Sequence, residues 1–360
     1  MHIGLIAPPW VPVPPTTYGG TELVVDELAR GLDRLGHQVR LFTIGTSTCP
    51  VPTDFLSPEP MPVMGSSVDE AAHVLAAYDA LGDVDVIHDH TLLGPLIAAG
   101  ADRPVPPVVV THHGVFDSAL RRVFARTAQS AAVVAISRSQ ARAAGTVPIT
   151  AVVPHGIDLS RYRPSEVRSD NLLFIGRMSP VKGAHRAIRV ARDAGRHLVI
   201  VTRISEAGER EYFDTVVRPL LGDDVRVLVE PTPDVKLDLL SDAAALVNPI
   251  TWPEPFGLVM IEALASGTPV LAFPHGAAPE IVEHGRTGFL AGTESGLAAA
   301  VDRLGELDRR ECRRVAEARF SAQRMVADYL AVYRDAAANP RNGARPPATV
   351  LSLTAARGRR

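Results

Sequence analysis

A short apolar run, a glycine-containing loop and an amphipathic helix occur twice in this chain, once at the start and again near the midpoint. Residues 2–7 lead through the Pro/Gly-rich stretch 8–20 into Val24, Leu28, Gly31, Leu32 and Leu35, spaced at i, i+4, i+7, i+8 and i+11. That spacing is one face of a helix. Gly36 supplies a stop, and residues 39–44 read as a second strand. Strand, loop, helix, strand is a βαβ unit, which obliges its two strands to run parallel. At Asn171 the pattern restarts: a strand over 172–175, a loop over 176–183, Ala184, Ala187, Ile188 and Ala191 at helical spacing, then a strand over 197–201. A repeated start of this kind predicts an α/β protein with two Rossmann-like domains facing a cleft.

Between the two starts, strands are expected at 84–88, 108–111, 132–136 and 152–153, with a helix over 119–128. The turn Pro154-His155-Gly156-Ile157-Asp158 and the polar stretch up to Asn171 read as the linker. Later strands are expected at 225–229, 246–248 and 270–273, and a helix over 257–265. The domains are therefore expected at 1–165 and 166–319. A closing helix over 320–337, centred on the periodic stretch 322–334, would pack back toward the first domain. Residues 338–360 carry Arg341, Arg345, Arg357, Arg359 and Arg360 without an acidic residue. They read as a disordered tail, with a functional basic arm as the other possibility.

Composition excludes several classes. At roughly 150 residues per domain, 360 residues make two domains or one large one. The 37 Lys and Arg against 40 Asp and Glu leave a net charge of −3, so no global basic field is available to grip nucleic acid. Two cysteines far apart, Cys49 and Cys312, make neither a zinc site nor a disulfide framework and fit a reducing compartment. The opening Met-His-Ile-Gly lacks a basic segment before an apolar one, so no secretory signal is expected. No run approaches the roughly 18 apolar residues of a spanning helix. A cytoplasmic protein is expected, with oligomeric state and contact with a membrane surface left open.

In paired α/β domains the loops at the carboxyl ends of the strands carry ligands. The first such loop ends in Gly19, Gly20, Thr21 and Glu22 ahead of a helix. Its glycines would let backbone amides approach an anion such as a diphosphate, although a plain tight turn has the same residues, and no GxGxxG is present. The second holds Arg177 and Lys182, a guanidinium fork and an ammonium that can neutralise phosphates, or that simply sit in solvent. The third runs from Trp252 to Glu262. Glu254 precedes a helix start whose Gly257, Leu258 and Val259 amides would face a phosphate. Glu262, about 12 Å further along the axis, is the one charge in an apolar run and needs a partner if buried. A ribose with two hydroxyls would serve; an N-terminal and a surface glutamate are the plainer alternative. The fourth is His88-Asp89-His90 with His112-His113, at strand ends. A zinc site would need more ligands than these pairs offer, so they read as polar hydrogen-bonding groups in the cleft.

Together these segments resemble glycosyltransferase family 4, retaining enzymes of the two-Rossmann GT-B architecture. The likeness is carried by Tyr18-Gly19-Gly20-Thr21-Glu22, by Gly176-Arg177 with Lys182-Gly183, and by Trp252-Pro253-Glu254-Pro255-Phe256-Gly257. Further along, Glu262-Ala263-Leu264-Ala265-Ser266-Gly267-Thr268-Pro269-Val270 and Gly285-Arg286-Thr287-Gly288-Phe289 extend it, so that it spans roughly residues 1–335. The resemblance implies that Gly19 and Gly20 pass close to a donor diphosphate and that Arg177 and Lys182 neutralise it. It also implies that Glu254 bonds the donor sugar and Glu262 the ribose, while Phe256, Gly257, Leu258 and Val259 line the donor. His113 matches the sugar-contacting histidine, with His112 as its substitute, and Arg203 would lie near the base or phosphates. No metal and no resident cofactor are implied. One departure stands out: His155 occupies the place where the family often has Asn.

The reaction implied is transfer of a sugar, glucose foremost, from a UDP-sugar to an acceptor hydroxyl with retention. With no carboxylate placed as a nucleophile, a same-face, ion-pair-like displacement fits best. A nucleotide-sugar 2-epimerase of the same architecture is the alternative; a solute-binding protein would carry an export signal. The acceptor is not legible: the loops 8–18, 49–68 and 91–101 hold no recognisable code.

Overall fold

Val108–Thr111 and Ala131–Ala135 are buried at every position, as strands covered by helices on both faces must be. The structure, a computed structural model, describes residues 1–16, 19–102, 104–165 and 169–340. Tyr18 and the arginines of the expected basic tail lie outside the described residues.

The first sheet contains β1 (His2–Ile6), β2 (Gln38–Thr43), β3 (Thr53–Phe55), β4 (Val86–Asp89), β5 (Val108–Thr111), β6 (Ala131–Ala135) and β7 (Ala151–Val152). Its helices are α1 (Gly20–Arg34), α2 (Ser67–Ala80), α3 (Gly94–Ala99), α4 (Ser118–Thr127) and α5 (Arg138–Ala143). The second sheet contains β8 (Leu172–Arg177), β9 (Leu198–Arg203), β10 (Val225–Val229), β11 (Ala245–Asn248), β12 (Val270–Ala272) and β13 (Gly288–Leu290). Around it lie α6 (Ala184–Asp193), α7 (Ala207–Tyr212), α8 (Pro233–Asp242), α9 (Leu258–Ala265), α10 (Ala278–Ile281), α11 (Glu294–Val301) and α12 (Arg309–Phe320); α13 (Ala322–Ala338) follows.

Every pairing is parallel, in the orders β3-β2-β1-β4-β5-β6-β7 and β10-β9-β8-β11-β12-β13. In both sheets the order reverses beside the first strand, between β1 and β4 and between β8 and β11. Such a switch point opens a crevice outside the carboxyl ends of the strands. The two expected glycine loops and the loops bearing His90 and Glu254 all leave the sheets at these two places. Among the described residues no helix is long and apolar enough to cross a membrane.

The chain passes between the sheets twice. Ile157 N–H donates to Phe320 O at 3.0 Å and Ala322 N–H to Ile157 O at 2.9 Å, so the outgoing and returning strands lie side by side. After the return, Met325, Val326, Tyr329, Leu330, Tyr333 and Ala336 of α13 join the core around α1 and the first sheet. Gly31 of α1 lets this contact form, because a Cβ there would lie 2.4 Å from Val326 Cγ2.

Several expectations need correction. Gly176 and Arg177 were expected in a loop, yet they extend β8, paired with Thr202 and Arg203 of β9. Residues 91–101 contain α3, and α2 follows a stretch read as loop. The buried positions of α2, Glu70, His73, Val74, Ala77 and Tyr78, follow a helical period. Two of them are charged or polar, so hydrophobicity does not reveal the helix. The strand over 152–153 is placed at Ala151–Val152, and the periodic stretch ending at 334 continues to Ala338.

Gly156 sits where the two crossings touch: a Cβ there would meet Ser321 O at 2.3 Å and Ser321 C at 2.7 Å. Backbone on both sides leaves nothing to move aside. Gly156→Ala should therefore destabilise the protein by about 3 kcal/mol in denaturant unfolding. Gly208→Ala, in α7 with nothing within 4 Å, should be neutral or stabilising by up to ~1 kcal/mol. Equal stabilities for the two variants would contradict the packing described.

Candidate active site

The carboxyl edge of the second sheet presents a row of cations. Arg177 ends β8 and Arg203 ends β9, and the two are register partners in a parallel pair, so their side chains leave the same face. Arg177 Nη1 lies 3.5 Å from Glu209 Oε1 and 3.9 Å from Glu206 Oε1, too long for firm hydrogen bonds. Arg203 Nε is buried without a hydrogen-bond partner, 3.7 Å from Glu230 Oε1. Both guanidiniums thus keep donors in reserve.

Lys182 lies in the next turn, before Gly183, whose φ of +82° caps α6 in the left-handed region. Its ammonium donates to Glu254 Oε2 at 2.5 Å, and Trp252 Nε1 donates to the same oxygen at 2.5 Å. The ammonium also stands 5.4 Å from the Trp252 ring centre. Expected as separate ligands of phosphate and sugar, Lys182 and Glu254 are partners here. An ammonium has three N–H donors, so this bond leaves Lys182 two for a phosphate.

Two features that the sequence did not flag hold these loops in place. Arg186 donates to Pro249 O at 2.9 Å, Pro180 O at 2.8 Å and Val181 O at 3.2 Å, tying the loop after β8 to the loop after β11. Gly276, at φ +58°, lies against the Glu254 backbone, and a Cβ there would meet Glu254 O at 2.2 Å. A lone arginine and a lone glycine give no pattern from which either role can be read.

Gly257, at φ +100°, precedes α9, and no side chain caps the helix. The first amides of a helix have no intrahelical acceptor and lie at its positive end. Leu258 and Val259, partly exposed, begin α9. A Cβ on Gly20 would lie 3.4 Å from Leu258 Cδ1, so the start of α1 meets the start of α9 across the cleft. Gly19 is more enclosed, with Glu22 Oε2 and Pro15 Cβ each 2.8 Å from a Cβ placed there. Phe256 is 4% exposed, its ring edge-on to His155 at 5.0 Å, so it offers the cleft backbone rather than side chain. Glu262 does have a partner, though not an empty space for ribose: Lys236 Nζ at 2.7 Å and the Tyr162 hydroxyl at 3.2 Å.

On the first sheet, His113 follows β5 and lies 2.9 Å from His90, which follows β4. His155 stacks on His113 with ring centres 5.1 Å apart. His112 is turned away, packed against Phe116 and Phe124. Burial holds His88, His90 and His113 well below the usual imidazole range and takes His155 down to about 3 and His112 to about 4. Five buried polar atoms without a hydrogen-bond partner belong to residues at or beyond the carboxyl ends of strands of the two sheets: His90 Nε2, His155 Nδ1, Ser179 Oγ, Arg203 Nε and Glu209 Oε1. Buried polar atoms are normally satisfied, so their gathering at the cleft marks a place for polar ligand atoms or water. Among the described residues no group of three or more His, Cys, Asp or Glu could hold a metal. A depression of about 330 Å³ elsewhere, between α6 and α11, is lined by Asp193, Asp302 and small residues and has no cation for a diphosphate.

Comparison with known proteins identifies relatives of the chain and of its fold. The family model described as glycosyl transferases group 1 matches residues 163–320, and that of glycosyltransferase family 4 matches residues 18–161. A D-inositol 3-phosphate glycosyltransferase of Acidothermus cellulolyticus is 30% identical over 91% of this chain and 88% of its own. D-inositol 3-phosphate glycosyltransferase 2 of Catenulispora acidiphila is 28% identical over 77% and 79%. Among solved structures, a glycosyltransferase involved in avilamycin A biosynthesis superposes with a TM-score of 0.74 at 27% identity, over 94% of this chain and 98% of that one. Anabaena HepE in complex with UDP and glucose shares the fold, with a TM-score of 0.73 at 22% identity over 93% and 99%.

The buried imidazoles make stability depend on pH in a definite direction. His73, taken to about 4, joins His88, His90, His112, His113 and His155 as neutral groups that charge more readily when unfolded. Their stabilisation is complete above the unfolded value near 6.5 and is lost as pH falls below it, about 2 kcal/mol each at most between pH 7 and 5. Glu22 and Glu27, raised to about 7, and Asp89, raised to about 6, act oppositely, because the folded state holds their protons longer. Six groups oppose three of similar size. The melting temperature should fall from pH 7 to pH 5; a flat or rising profile would count against neutral buried imidazoles.

Proposed function

The chain belongs to glycosyltransferase family 4, and we propose that it transfers a sugar from a nucleoside diphosphate to an acceptor hydroxyl with retention of anomeric configuration. The donor proposed is a UDP-sugar, with glucose as the first candidate. The observation that carries this reading is the pair of Arg177 and Arg203 at the strand ends with Lys182 in the turn that follows β8, on the rim where α9 begins with uncapped amides. A diphosphate that gains negative charge as the sugar leaves is stabilised by donors already fixed in place. The Anabaena neighbour, solved with UDP and glucose, supports the choice of donor by analogy.

In this mechanism the bond between the anomeric carbon and the β-phosphate oxygen breaks first, and the sugar takes on oxocarbenium character. Lys182, with two donors beyond its bond to Glu254, and Arg177 receive the charge that develops on the phosphate. The acceptor hydroxyl attacks from the face the diphosphate is leaving, and its proton passes to a departing phosphate oxygen. Glu254 and His113 hold sugar hydroxyls, and no metal takes part. Glu262 would reach a ribose only by sharing or exchanging Lys236 and Tyr162. The cleft closes over the donor, since its half-sites belong to different sheets.

The acceptor proposed is uncharged. The relatives named above act, by their names, on an inositol phosphate, and a phosphorylated acceptor needs a cation to receive it. The loops 8–18, 49–68 and 91–101 contain neither Lys nor Arg. Their proline-rich and aliphatic composition suits a neutral or apolar acceptor better.

Two measurements test this reading. Thermal unfolding with UDP-, GDP- and ADP-sugars should show the largest protection from a UDP-sugar, because a ligand of the folded state alone raises apparent stability; no protection by any of them would remove the proposed donor site. Arg177→Ala should lower turnover about 10²-fold, the usual loss for one donor to a developing oxyanion. Turnover within twofold of the unaltered enzyme would eliminate the leaving-group role.

A further inference from the structure

Four imidazoles stand in file along the carboxyl edge of the first sheet. His88 and His90 have ring centres 4.0 Å apart, His90 Nδ1 lies 2.9 Å from His113 Nε2, and His113 stacks on His155 with planes 18° apart. His88 is fully engaged, with Tyr333 Oη at 2.7 Å from Nδ1 and Thr111 Oγ1 at 2.8 Å from Nε2. The contact between His90 and His113 is different, because each ring has its second nitrogen without a hydrogen-bond partner among the described residues.

A neutral imidazole has one N–H and one lone pair, so this contact has two settings. If His113 donates from Nε2, the His90 proton must sit on its Nε2, a buried atom with no acceptor. If His90 donates from Nδ1, its buried Nε2 carries only a lone pair, and the N–H without a protein acceptor is instead that of His113 Nδ1, on a ring that is only partly buried. A buried N–H without an acceptor is rarer and costlier than an acceptor left idle. His113 then keeps its own proton on Nδ1, the nitrogen that no protein group occupies.

We propose that His90 is a positioning residue for the transfer reaction: its Nδ1–H, donated to His113 Nε2, holds His113 in the Nδ1–H form and leaves that N–H for a hydroxyl of the donor sugar. This rests on the reading of His113 as a sugar contact, but the tautomer itself does not. The assignment gives the His-Asp-His segment a use that is neither metal binding nor proton transfer.

The test begins with ¹⁵N-histidine spectra of the ligand-free protein, with the His113 signals assigned by their loss in His113→Ala. They should show Nδ1 protonated and Nε2 as acceptor. In His90→Phe, which keeps a ring but no donor, the proton of His113 should redistribute to Nε2. Affinity for the nucleotide sugar that protects best in thermal unfolding should then fall about tenfold, as for one lost hydrogen bond, while affinity for the free nucleoside diphosphate stays unchanged. His90→Asn places an amide N–H where the imidazole Nδ1–H stood and should restore both. An Nε2–H form in the unaltered protein, an unchanged tautomer in His90→Phe, or equal losses in the Phe and Asn variants would overturn the proposal. Unaltered nucleotide-sugar affinity in His113→Ala, with the expected spectra, would instead overturn the sugar-contact reading alone.

Discussion

Parallel pairing is the constraint from which the rest follows. A parallel neighbour can be reached only by a crossover from one end of the sheet to the other. The thirteen strands among the described residues therefore release their chain on one edge of their sheet and take it back on the other. The carboxyl edges collect the glycine loops, the histidines and the cations; the opposite edges collect ordinary turns. Wherever the order reverses, two neighbouring loops part and leave room between them. The candidate site lies at two such partings, where the backbone offers an opening.

The site is electrically prepared before any ligand arrives. Lys182 and Glu254 share a short bond, Lys236 and Glu262 share another, and Arg177 leans toward a buried carboxylate without closing on it. Isolated charges at partly buried positions would be expensive, so the empty protein uses its own counter-ions. The arrangement is asymmetric: Arg177 and Arg203 keep donors unengaged, whereas the glutamates are held. The cations of the proposed donor site are thus positioned but not saturated.

How much of this was legible in the sequence depends on the range of the interaction. The helical spacing of Val24, Leu28 and Leu32 and the apolar strands announce a fold whose pattern is local. Arg177 at the end of β8 and the loops bearing Lys182 and Glu254 are legible through their likeness to a family, and the structure brings Lys182 and Glu254 into contact across 72 residues. Pairings between distant segments were not legible. Lys236 and Tyr162 meet Glu262 from two other segments, and His90 reaches His113 from the neighbouring strand end. Nothing in a lone lysine or tyrosine encodes its partner. Helix α2 escaped notice because its inner face includes Glu70 and His73, so its pattern of burial is helical while its pattern of hydrophobicity is not.

The return of α13 to the first sheet has a consequence for biosynthesis. Tyr333 closes on His88, Tyr329 on Thr111, and Val326 fits against Gly31, so the amino-terminal core includes residues made after the whole second sheet. A ribosome that has translated only the first 160 residues has released an unfinished unit, its α1 groove open and two buried polar side chains lacking their phenols. The carboxyl-terminal sheet, contained in a continuous segment, meets no such delay. Order of translation and order of completion are therefore inverted between the two sheets, because the amino-terminal core is complete only once α13 has been made.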